Sequence, residues 1–186
     1  MWPWGHAAVG YLVYSLGVRA AGRTPRDRPV LALAVGTQFP DLVDKPLGWT
    51  LGVLPGGRSL AHSLLTLAVV GVVLAALVRR LGGRDVAVSF VVGAVSHTLA
   101  DGVSAVVAGE YGLLTYLLWP VLAMPEYSTE PSFAAHLATL GLDGAMAAEL
   151  ALVGLAVVSW QLDGRPGLGA LRAVGDRWRY WRSSAE

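Results

Sequence analysis

Cysteine is absent from this chain and charge is scarce. Without cysteine there is neither a disulfide framework nor a thiolate metal site. Any metal site must draw on His, Asp and Glu, ligands that suit zinc, manganese and similar divalent ions. Only 15% of the 186 residues are charged and 54% are hydrophobic. Soluble domains average about 25% charged residues, so the composition points to a polytopic membrane protein. The length suits one compact domain. A net charge of +1 says nothing about partners. The N-terminus lacks a basic region and the first apolar run carries His6, so no cleavable signal peptide is expected. No internal repeat or low-complexity tract stands out.

What is present is a series of apolar runs. Met1-Trp2-Pro3-Trp4 reads as an interfacial start, because Trp prefers the headgroup region. The runs 5–18, 30–39, 60–78 and 86–107 read as spans, and 133–162 contains a fifth. The run 111–124 is too short to cross a core of about 30 Å and reads as an interfacial or re-entrant helix. The expected fold is therefore an all-α polytopic membrane helical bundle of about five spans plus that short helix. Residues 1–163 form the membrane-embedded domain and 164–186 a basic cytoplasmic tail.

Charge distribution gives an orientation. With the N-terminus outside, the loops 19–28 and 79–84 and the tail hold 12 of the 14 basic residues on the cytoplasmic side. Only Lys45 and Arg58 fall outside, as the positive-inside rule requires. Attraction of the arginine-rich tail to anionic lipid explains it without nucleic acid.

The same topology brings six ionisable residues to one depth. His97 and Asp101, four apart on one helix face, lie about 20–25 Å above the inner turn. His6, Asp41, Asp44 and His62 sit at the outer ends of the other spans. Ionisable groups inside a membrane are costly and usually functional. Each taken singly has a structural reading: a core histidine bonded to a carbonyl, an aspartate capping a turn. Their convergence favours a divalent-metal site in the outer leaflet, with one ion or two. A divalent ion lowers the pKa of bound water towards about 7 and so supports hydrolysis. Arg58 has a planar fork suited to a phosphate. His136, Glu126 and Glu130 read as a solvated loop on the same side, and Glu149 as a mid-span group paired inside the bundle.

The pattern His6-Ala-Ala-Val-Gly-Tyr, Pro40-Asp41-Leu42-Val43-Asp44, Arg58-Ser-Leu-Ala-His62-Ser63 and Ser96-His97-Thr-Leu-Ala-Asp101 resembles the membrane-bound metal-dependent hydrolases. That family includes a LexA-regulated inner-membrane member in bacteria. The resemblance covers about residues 5–105 and implies a multi-spanning helical protein with metal-dependent hydrolase activity, though no substrate. Two positions depart from it. Gly57 stands where the family commonly has a histidine, and the Pro-Asp-x-Asp motif is one residue longer here, with Asp41 favoured over Asp44 as ligand. The ligand order is also similar, more distantly, to zinc-dependent phospholipase C and its related nucleases. That likeness implies one ion held by Asp41 or Asp44, His62, His97 and Asp101, and part of a second by His6 and Asp101.

The expectation is a membrane-embedded hydrolase cleaving a phosphoester of a lipid or lipid-linked substrate. Zinc is the expected cofactor, with manganese the alternative. His6, Asp41, His62, His97 and Asp101 are the expected ligands, and Arg58 and Asp44 the expected catalytic residues. A divalent-metal carrier or sensor is the competing class, with transport disfavoured because the inner half of the spans is almost purely apolar. A bundle merely stabilised by metal is a third.

Overall fold

The computed structural model describes residues 1–81, 83–124 and 133–172. Among them every regular element is helical. In chain order these are α1 (Pro3–Ala20), α2 (Asp27–Gly36), α3 (Phe39–Lys45), α4 (Leu64–Leu81), α5 (Arg84–Asp101), α6 (Val103–Ala108), α7 (Phe133–Ala138) and α8 (Gly144–Leu162). A π-helical turn, Pro46–Thr50, follows α3, and a 3-10 helix, Tyr111–Leu118, follows α6.

Local chemistry explains several boundaries. Pro3 opens α1, where its missing N–H costs nothing. The Asp143 side chain caps α8 by accepting the Met146 N–H at 2.8 Å. Thr37 follows α2 and its hydroxyl donates to the Ala34 carbonyl, closing the helix three residues before Pro40.

The expected five spans are corrected by the helix lengths. Among the described residues only Arg84–Ala108 and Gly144–Leu162 are long and apolar enough to cross a membrane. The second expected span contains a helix of 10 residues, about 15 Å at 1.5 Å per residue, against a core of about 30 Å. The third begins as a turn around His62, which leaves Leu64–Val78 as a shorter apolar helix. The first reaches 18 residues, but His6, Arg19, two tryptophans' worth of interface chemistry at its start and its tyrosines dilute its apolar character. Apolar runs in a sequence join helix to turn, and only the helical part contributes rise. The expected re-entrant helix is a 3-10 segment whose Tyr116 is buried and donates to the Thr98 carbonyl at 2.8 Å.

α5 is the central element, packing against α1, α2 and α4. Its contact with α2 is backbone on backbone. A Cβ added to Gly36 would lie 2.2 Å from the Phe90 carbonyl oxygen, and one added to Gly93 would lie 2.5 Å from that of Leu33. Small residues allow such close approach between helices in membranes. On the other side of α1 and α2 lies a core of Ala8, Tyr11, Val30, Leu33 and Ala156, which joins them to α8.

A polar clasp locks α1 to α8 at the end remote from Trp2. Asp163 accepts from Tyr11 and Ser15, each at 2.6 Å, and from Arg19 Nε at 2.8 Å. Burial alone would raise the Asp163 carboxyl, but the bonds from Ser15, Tyr11 and Arg19 outweigh it and hold its pKa below the usual value. The stabilisation it supplies is therefore present above the unfolded-state pKa, about 3.9, and is lost as pH falls through the lower folded value. We predict that Asp163→Asn lowers stability by about 2 kcal/mol at pH 7, the scale of hydrogen bonds to a charged group. The difference from the unaltered chain should shrink below pH 4, as read by thermal unfolding in detergent.

Candidate metal centre

The chain brings His6 from α1, Asp41 and Asp44 from α3, His62 from the turn before α4, and His97 and Asp101 from α5 into one buried cluster. His6, Asp44, His62 and His97 are at most 1% exposed. The close α2–α5 contact sets the register, since it places the Thr37 carbonyl 2.6 Å from His97 Nδ1.

Four ligand atoms face one another: Asp41 Oδ1, His62 Nε2, His97 Nε2 and Asp101 Oδ2. His62 and His97 Nε2 are 3.2 Å apart. Asp41 Oδ1 lies 3.5 Å from His62 and 3.6 Å from His97. Asp101 Oδ2 lies 3.6 Å from His62 and 4.0 Å from His97. All four fall within 4.8 Å of one another. A tetrahedral zinc with bonds of about 2.0–2.1 Å to N and O sets its ligand atoms about 3.3–3.4 Å apart. Four of these five edges lie close to that value, and the His97–Asp101 edge is longer at 4.0 Å.

The tautomers follow from the neighbours. A carbonyl can only accept, so His97 Nδ1 donates to Thr37 and its Nε2 carries a lone pair. His62 Nδ1 faces Asp44 Oδ2 at 2.8 Å, and Asp44 in turn accepts the backbone N–H groups of Ser59, Ala61 and His62. Asp44 thus orients His62 from behind, as carboxylates orient metal-binding histidines. In the neutral imidazoles two Nε2 lone pairs would point at each other and at two carboxylates. Asp41 Oδ1 has no hydrogen-bond partner. Such a cage calls for a positive charge at its centre. Burial opposes charge on His62, yet its bonds to Asp101, Asp41 and Asp44 push its pKa up to about 10. Asp41, Asp44, His62, His97 and Asp101 thus fit a divalent ion held by four of them and oriented by the fifth.

Around the cage sit two cations. Lys45 Nζ pairs with Asp41 Oδ2 at 2.6 Å, leaving Oδ1 for the centre, and lies over the Trp49 ring. Arg58 Nε lies 2.8 Å from Asp101 Oδ2, and its side chain is 34% exposed. His6 stands outside the group of four. It stacks on His97 at 3.6 Å between ring centroids, and its Nε2 lies 3.2 Å from Asp101 Oδ1.

A family model described as YdjM inner membrane protein matches residues 1–164. The chain belongs to the YdjM inner membrane protein family. No curated protein and no solved structure matches it. All six clustered residues fall inside the family segment, and the inner membrane accounts for the apolar side chains left exposed, such as Leu16, Val69, Val72 and Leu155.

Glu149 is buried on α8 and accepts the Trp2 N–H at 3.1 Å, tying α8 to the start of α1. Glu126 and Glu130 lie outside the described residues. His136 belongs to α7, but its side chain also lies outside them. Sequence reading passed over two participants. Thr37 acts through its carbonyl, which no side-chain pattern reveals. Lys45, four residues after Asp41 in one short helix, was legible as an i, i+4 ion pair.

We predict that Asp44→Asn lowers divalent-metal affinity about 10–100-fold, the usual effect of losing a carboxylate behind a ligating histidine. His97→Ala should remove stoichiometric metal altogether. Metal content after dialysis against graded chelator checks both, and an unchanged stoichiometry in His97→Ala would exclude His97 as a ligand.

Proposed function

We propose that the protein is a membrane-embedded metal-dependent hydrolase that cleaves a phosphoester of a lipid or lipid-linked molecule. The observation that carries this reading is the pair of histidine Nε2 atoms 3.2 Å apart, held face to face by Thr37 and Asp44 between two carboxylates. Asp41, His62, His97 and Asp101 would hold the ion, zinc by the mixture of imidazole and carboxylate and by the spacing. Bound there, a divalent ion polarises a phosphoryl oxygen and lowers the pKa of water.

The chain's own groups do the rest. Arg58 spans from the surface to Asp101 and binds the anionic group of the substrate. Lys45 holds Asp41 in a one-oxygen presentation. His6 fixes the outward oxygen of Asp101 and keeps Oδ2 turned to the centre. The arginines 19, 23 and 26, with Asp163 and Asp85, occupy the opposite end of the helices. By the positive-inside rule that end is cytoplasmic and the metal centre lies at the outer leaflet, within reach of lipid headgroups.

One observation favours a second reading, a metal that only stabilises the bundle. Four protein ligands close a tetrahedron, as in structural zinc sites, whereas catalytic sites keep a position open. The His97–Asp101 edge, the longest of the five at 4.0 Å, favours hydrolysis, because it leaves that corner the least tightly drawn.

Purified protein loaded with zinc should release product from phospholipids or simple phosphoesters, and chelation should abolish that release. Arg58→Ala should raise KM at least tenfold with metal content unchanged. Stoichiometric metal with no turnover on any phosphoester would establish the structural reading instead.

A further inference from the structure

Two cavities lie along the side of the bundle formed by α1, α2 and α8, one at the arginine-rich end and the other reaching from near it towards Trp4. The first, about 520 Å³, is lined by Asp27, Gly164, Arg165, Leu168, Gly169 and Arg172. The second is an apolar groove of about 330 Å³ between α1, α2 and α8, with Trp4, Tyr11, Val30, Ala34, Val153 and Trp160 in its walls.

The same stretches of chain, α2 and the end of α8 with its following turn, line both. On α2, Asp27 lines the cavity, and Val30 and Ala34, three and seven residues on, line the groove. On α8, Val153 and Trp160 line the groove seven residues apart, and Gly164, in the turn just past the helix end, lines the cavity. Spacings of three and seven keep residues on one helix face. Trp160 Nε1 donates to the Pro166 carbonyl at 2.9 Å, pinning the turn that separates the two spaces. Along α1 the groove runs from Trp4 to Tyr11, about 10 Å at 1.5 Å per residue, a large part of one leaflet's hydrocarbon depth. Trp4 and Tyr11 lie on a different face of α1 from His6, so the groove does not lead into the metal cage.

Charge points to the occupant. Arg165 and Arg172 have no side-chain ion-pair partner among the described residues. Arg165 is held at φ 61° next to Gly164 at φ 83°, a left-handed turn that non-glycine residues rarely adopt. Asp27 is engaged by the backbone, accepting the Gly167 N–H at 2.6 Å. Two arginines and one aspartate leave a single positive charge, which one phosphodiester balances. Basic pockets between helices on the cytoplasmic side are suited to anionic lipid headgroups.

We propose that this end of the bundle binds one anionic glycerophospholipid, its phosphate against Arg165 and Arg172 and an acyl chain in the groove between α1, α2 and α8. The headgroup lies at the arginine-rich end, and the acyl chain runs up the groove towards Trp4, between α8 and the pair α1 and α2. The lipid is a resident of the fold, separate from any substrate at the metal centre.

The test is native mass spectrometry of the full chain released from detergent micelles, with phosphatidylglycerol, phosphatidylcholine or inorganic phosphate added. A single phosphatidylglycerol should be retained at least tenfold more tightly than phosphatidylcholine, and inorganic phosphate should not be retained. The Arg165→Ala/Arg172→Ala double variant should lose that preference. Ala34→Trp, a substitution at an exposed position that fills the groove, should weaken both lipids at least tenfold. Equal retention of the two lipids by the unaltered chain would overturn the proposal, and that comparison needs no variant to fold. Retention of inorganic phosphate, with phosphatidylglycerol indifferent to Ala34→Trp, would reduce the site to a phosphate pocket and overturn it as well.

Discussion

Carboxylates and imidazoles buried together must be given a compensating charge, and the arrangement of this fold follows from that requirement. Asp41, Asp44 and Asp101 meet His6, His62 and His97 where almost no water reaches them. Such groups are expensive unless paired or bound to a cation. The chain surrounds them with Lys45 on one side and Arg58 on the other, and turns the two remaining imidazole lone pairs to a common centre. α5 can contribute two of these residues only because Gly36 and Gly93 let its backbone touch that of α2.

The two ends of the bundle carry different chemistry. At one end a closed cage of oxygen and nitrogen is oriented by a carbonyl, a carboxylate and backbone N–H groups. At the other, Asp163 is clasped by Tyr11, Ser15 and Arg19, while the arginines on Asp85 form open, solvated pairs that are individually weak. Between them α8 is held at both ends, by Glu149 on the Trp2 N–H and by Asp163 on α1. Its middle is left to apolar contacts and to the groove. Rigidity is therefore concentrated where ligand atoms need fixed positions.

Much of the site was legible in advance, and for a definite reason. His97 and Asp101 share a helix face at four-residue spacing whatever the rest of the chain does. Polar residues at the ends of apolar runs have few places to go except inward, towards one another. Asp41 was favoured over Asp44 as the ligand, but the place of Asp44 behind His62 was not legible. Asp41 and Asp44 are three apart on one short helix, and only the chain reversal at Ser59–His62 decides that Asp44 lies behind His62 while Asp41 faces the centre. His6, expected as a ligand together with Asp101, lies outside the group of four, against Asp101 Oδ1 and stacked on His97. The spans were misjudged because hydrophobicity was counted across turns, as at His62.

By itself the sequence determined that the protein is helical, apolar and free of thiol chemistry, and that histidines and aspartates would gather at one end with arginines at the other. These follow from composition and from periodicity, which are local properties. The tertiary structure alone decided which helices are long enough to cross a membrane, which aspartate faces the centre and which supports it, and that the Thr37 carbonyl sets the His97 tautomer. Those depend on where turns fall and on how closely two backbones approach, and neither quantity is written in the identity of any one residue.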